Sequence, residues 1–124
     1  MSGSSVLTPV ATSLVTGPTA GARERLIAAQ LPPATFTAVL LEGLPDGHTI
    51  LVPSPTLLIE RIAPGCLCCT GNLVLRVTLN RLLRRRPARL FIGPATTEHL
   101  DQLRSWLQHP PYDQLLELTA DLCT

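Results

Sequence analysis

A chain of 124 residues fits one domain and is long enough to bury a core without a disulfide framework. Its formal net charge of +1 exerts no general pull on nucleic acid or anionic lipid, and one Trp, one Tyr and two Phe offer no base-stacking platform, so the core must be aliphatic. All ten cationic residues are arginine, which excludes mechanisms that need a lysine on a phosphate or in a Schiff base.

Residues 1–9 are small and polar without apolar periodicity, and read as a loose leader before a single domain over 10–124. Val10–Thr16 predicts a short buried strand. The turn-rich GPTAG follows, then a helix near Arg23–Gln30 that Pro32 and Pro33 terminate. Phe36–Leu41 is a second strand closed by the turn residues of EGLPDG. His48–Val52 and Leu57–Ile62 are further apolar runs separated by PSP, the latter feeding into APGCLCC.

That box holds Cys66, Cys68 and Cys69, three of the four cysteines. Thiolates so close can share one soft or borderline metal ion. Extended structure delivers them, and a helix over Asn72–Arg86 follows, with Leu75, Leu79, Leu82 and Leu83 at spacings of three and four and Asn72 or Thr70 as its cap. A helix start lowers a thiol's pKa and favours the metal-binding thiolate. Buried small hydrophobes or a redox thiol are the competing readings.

Arg81, Arg84, Arg85, Arg86 and Arg89 gather at that helix's C-terminus and read as a solvated face. Pro87 stops the helix, Arg89–Ile92 reads as a buried strand, GPATT as a loop, and Glu98–Gln108 as an amphipathic helix. Leu116–Cys123 is a last strand, with Cys123 in the core. His48, His99 and His109 show no ligand spacing and read as surface residues. Short apolar strands alternating with helices of ten to fifteen residues predict an α/β domain with a mainly parallel sheet flanked by helices. No run reaches the roughly 20 apolar residues of a membrane span, and the N-terminus lacks the pattern of a signal peptide. The expected location is therefore cytoplasmic, where thiols stay reduced and metal binding is favoured over disulfides.

In layout, LVTGPTAGARERLIAAQL, IAPGCLCCTGNLVLRVTLNRLL and RLFIGPATT resemble the phosphate loop, the cysteine box with its helix, and the following strand and loop of the CobW/HypB/UreG-type P-loop GTPases. The likeness is to the CobW branch and spans roughly residues 12–123. It implies binding of Zn, Co or a similar ion, with GTP used in its delivery. It also implies a truncated half domain, because the chain stops about halfway through the family's nucleotide domain.

Departures from the family pattern are specific. A GxxxxGK[ST] loop uses glycines, a lysine and a hydroxyl to hold phosphate and magnesium. In register this chain has Gly17, then Ala22, Arg23 and Glu24. Gly93 stands where the family has an acidic residue. Gly17, Gly21 and Arg23 thus remain as a degenerate Walker A loop, able to offer N–H groups to an anion or to serve as an ordinary strand-to-helix turn. GTP and Mg²⁺ lack the residues that usually hold them. Glu24 reads as a favourable charge in a first helical turn.

Glu42 falls where the family carries an acidic residue after the second strand, and is the candidate fourth ligand beside the CxCC thiols. The resemblance therefore implies a metal-binding accessory or chaperone-like protein in which GTP hydrolysis is lost. A GTPase with an atypical loop and a non-enzymatic interaction remnant are the alternatives. The expected partners are the metal ion, a client protein and, because a half sheet leaves an open edge, a second copy of the chain. Neither nucleic acid nor membrane is expected.

Overall fold

Helices interleave with short strands so that every strand pairing runs parallel. The structure is a computed structural model, and it describes residues 8–43, 50–63 and 73–123. The elements are β1 (Val10–Thr16), α1 (Ala20–Gln30), β2 (Thr37–Glu42), β3 (Leu57–Ile62), α2 (Leu73–Arg84), β4 (Arg89–Gly93), α3 (Leu100–Leu107), α4 (Tyr112–Leu115), β5 (Leu116–Leu118) and β6 (Leu122–Cys123). The sheet order is β3-β2-β4-β1-β5, and β6 pairs further along β1. This is the α/β architecture expected from the sequence, a mainly parallel sheet flanked by helices.

Both sheet faces are covered, which explains why the strands are apolar on both sides. Successive side chains alternate between the layers. Leu14, Ala38, Leu40, Leu90 and Ile92 pack under α2, α3 and α4, where Leu75, Leu79, Leu82, Leu103 and Leu107 complete one core. Val15, Val39, Leu41 and Phe91 face the other way, against Ile27 of α1 and Leu51. Each fully buried leucine or isoleucine contributes about 1.5–3 kcal/mol relative to exposure. Tyr112 closes the first core, donating its phenol O–H to Asn80 Oδ1 at 2.8 Å while its ring lies 4.6 Å from that of Trp106.

Several expectations are corrected. Helix α1 begins at Ala20 rather than near Arg23, because Thr19 caps it by accepting the Ala22 N–H at 3.0 Å. The apolar run ending at Val52 divides, Leu51 being buried with Ile27 of α1 in one core while Val52 stays exposed. The single C-terminal strand is two, β5 and β6, both on β1, separated by a link whose Asp121 holds Arg104 of α3 in a bidentate ion pair. Cys123 is exposed rather than in the core. Arg89 leaves the proposed basic patch altogether. Its guanidinium donates to Ala11 O at 2.8 Å and to Ser13 Oγ and stacks 4.5 Å over the Phe91 ring, and this burial lowers its pKa from the ordinary arginine value.

Residues 1–7 of the leader expected over 1–9, the turn and histidine at 44–49, and the box with its caps at 64–72 lie outside the described residues. Among the described residues no helix is long and apolar enough to cross a membrane.

Candidate functional site

In an open parallel sheet ligands gather beyond the carboxyl ends of the strands, where neighbouring connections diverge. Here that edge carries Gly17 after β1, Glu42 at the end of β2, and Gly93 with Ala95 after β4. The β3 chain leaves at the same edge. Glu42 is the register partner of Ile62, and Gly43 N–H donates to Ile62 O at 2.7 Å. From Ile62 the sequence runs four residues to Cys66, a reach of at most about 14 Å. Cys66, Cys68 and Cys69 themselves lie outside the described residues.

The residues expected to form a degenerate phosphate loop are engaged within the protein. Arg23 is 5% exposed, and its Nη1 donates to Gly17 O at 2.8 Å and Ala95 O at 3.3 Å. The guanidinium therefore ties the β1–α1 turn to the loop after β4 by binding carbonyl oxygens. An anion cradle needs outward-pointing backbone N–H groups. Two of those at the α1 start are taken up internally, Ala22 N–H by Thr19 Oγ1 and Arg23 N–H by Thr19 O at 3.1 Å. Gly21 is buried in the first turn.

Glu24, expected as a favourable charge in a first helical turn, lies in the second turn and is buried at 1% exposure. Both of its oxygens accept from Arg61 of β3 at 3.1 Å, a bidentate ion pair. Glu24 shares the inward stripe of α1 with Ile27 and Leu31, and Arg61 shares the α1-facing side of β3 with Leu57 and Ile59. The pair locks α1 to the strand from which the cysteine box continues. Arg61 was not singled out from the sequence. Its signal was the period-two alternation of LLIERI, which puts an arginine beneath a helix layer.

Glu42 is 7% exposed, and its Oε1 accepts the Ala95 N–H at 2.7 Å. Glu42, Ala95, Arg23 and Gly17 thus form one connected brace across β2, β4 and β1. At Gly93, a Cβ would come within 2.9 Å of Leu41 Cδ2, so a carboxylate there would have to displace that side chain. His109 is exposed with Nδ1 2.6 Å from Ser105 O, and His99 precedes α3 beside Glu98. Among the described residues no group of three or more His, Cys, Asp or Glu side chains is gathered to hold a metal ion.

No family model matches the chain. No solved structure matches it either. A stretch of 67 residues is 40% identical to the zinc chaperone YeiR of Escherichia coli (strain K12), covering 53% of this chain. The match spans 20% of that protein's length, so this chain is similar to a minor part of it.

Proposed function

We propose that this chain binds a Zn²⁺ or similar ion, Co²⁺ among them, through Cys66, Cys68 and Cys69, and acts as a small metal chaperone, buffer or accessory partner without GTP hydrolysis. One observation carries the metal reading: a box of three thiols within four residues follows in sequence from β3, whose carboxyl end lies where open parallel sheets gather ligands, in a chain similar over half its length to a zinc chaperone. Three thiolates suit a soft or borderline ion and leave a coordination position for a carboxylate or an incoming ligand, as transfer of a cargo ion requires. Glu42 enters as the candidate fourth ligand, although its bond to Ala95 gives it a bracing duty as well.

Loss of hydrolysis is supported by what has become of the loop. The arginine at the lysine position holds two carbonyl oxygens, and the glutamate at the hydroxyl position is consumed by Arg61. Neither is arranged to meet a triphosphate and its magnesium. The partner expected for delivery is a client protein, or a second copy covering the β3 edge.

The test is a Zn²⁺ titration of anaerobically reduced protein against a competing chelator. Stoichiometric binding is expected, abolished in the triple Cys→Ser variant and weakening as pH falls, because the thiols must lose protons to bind. Parent-like affinity in the triple variant overturns the assignment. Glu42→Gln keeps a carbonyl acceptor for Ala95, so weaker binding at an unchanged urea midpoint marks ligation rather than bracing.

A further inference from the structure

The outer face of α2 divides sharply by chemistry. Its inward side, Leu75, Thr78, Leu79 and Leu82, is buried. At 3.6 residues per turn, Leu73, Val74, Val77, Arg81, Arg84 and Arg85 share an outward arc of roughly 120°, about 18 Å long. The first three are 67%, 47% and 48% exposed, large apolar side chains held in water side by side. The last three are exposed guanidinium groups. Residues 73–86 carry five arginines and no acidic residue in a chain whose net charge is only +1. Among the described residues the ion pair made by this stripe is Arg81 with Glu60 at 3.1 Å, both partly solvated.

We propose that this face is a docking surface for an acidic amphipathic helix of a second protein, apolar contacts meeting Leu73, Val74 and Val77 and carboxylates meeting Arg81, Arg84 and Arg85. Charge complementarity selects the occupant. A nucleic-acid strand presents phosphates along its whole length and would leave half of the stripe unmatched. A bilayer-bound helix needs a long apolar face, and the apolar face of α2 is already spent on the sheet. An acidic amphipathic helix matches both halves, its apolar residues on the apolar half and its carboxylates on the basic half. The stripe is small beside a stable interface, which implies a transient contact. The stripe starts four residues after Cys69, so at most about 14 Å of chain separates it from the last thiol of the box. The proposal rests on the metal reading for its purpose, though not for its physics.

The probe is a labelled 18-residue helix-forming peptide with leucine on one half and glutamate on the other, followed by fluorescence anisotropy at low salt. Saturable binding is expected, at least tenfold weaker for Val77→Asp and for Arg81→Glu/Arg84→Glu. A lysine-for-glutamate peptide should reverse the preference and bind the charge-reversed variant better than the parent. Unchanged urea midpoints show that these exposed substitutions leave the fold intact. Peptide binding indifferent to all of these variants overturns the proposal, as does displacement of the peptide by a single-stranded oligonucleotide or by phosphatidylserine vesicles that bind the parent more tightly. Running the Zn²⁺ titration beside the peptide titrations on the same cysteine-intact protein separates the two readings. Variant-sensitive docking in protein that takes up no Zn²⁺, with Cys66, Cys68 and Cys69 intact, sinks the metal reading alone. Failed docking in zinc-competent protein sinks this one alone.

Discussion

Replacing Arg61 by methionine strands the Glu24 carboxylate inside the molecule. The glutamate side chain is 2% exposed and receives two hydrogen bonds from one guanidinium, whose own side chain is 25% exposed. Removing one partner of a buried pair costs roughly 3–5 kcal/mol, and water reaching the arginine side places this case near the low end, about 3 kcal/mol. That is a large share of a stability of roughly 5–15 kcal/mol. At a urea slope of about 1.5 kcal/mol/M the midpoint should fall by roughly 2 M. Urea unfolding followed by far-UV circular dichroism and by the fluorescence of Trp106 measures it. The companion variant Glu24→Leu/Arg61→Met removes both charges and should return to within about 1 kcal/mol of the parent, since an apolar pair of similar volume needs no desolvation of charge. A single variant that unfolds with the parent, or a double variant no better than the single, would refute the claim that this pair clamps α1 to β3.

GTP turnover should stay at background, because removing even one preorganised charge stabiliser costs about 10²–10³ in rate; steady hydrolysis that vanishes in Arg23→Ala contradicts this. Burial raises the Tyr112 phenol pKa above its ordinary 10, with nearby Arg76 acting in the opposite sense. The folded state therefore keeps its proton after the unfolded state has lost it, so stability is flat below about pH 10 and falls above it. Tyr112→Phe should remove that part of the alkaline decline while costing about 0.5–1.5 kcal/mol at neutral pH through the lost Asn80 bond; an unchanged alkaline slope speaks against it. Arg86, two residues past the end of α2, has φ 55°, a left-handed conformation that glycine adopts without a Cβ penalty. Arg86→Gly should raise stability by about 0.5–1 kcal/mol, and a lower urea midpoint would show that the arginine side chain matters more than its backbone.

Local pattern was enough to read most elements of this protein. Val10–Thr16 and Leu57–Ile62 are strands over the residues their composition marked, and the leucine spacing of α2 identified its buried side, because periodicity records burial directly. The α/β class followed from their alternation. The cysteine box, too, is a property of the sequence alone: three adjacent thiols need no fold to be recognised as a donor set. What the tertiary structure decided is how the charged residues are spent. Whether Glu24 meets solvent or Arg61, whether Arg89 joins a surface patch or donates to Ala11 O, and whether Arg23 faces an anion or Ala95 O depend on contacts 37 to 78 residues apart. The split of the last strand is also non-local, with Arg104 reaching Asp121 across 17 residues. Such pairings are set by strand order, and strand order comes from packing whole elements against one another, a global minimum that no local window of residues contains.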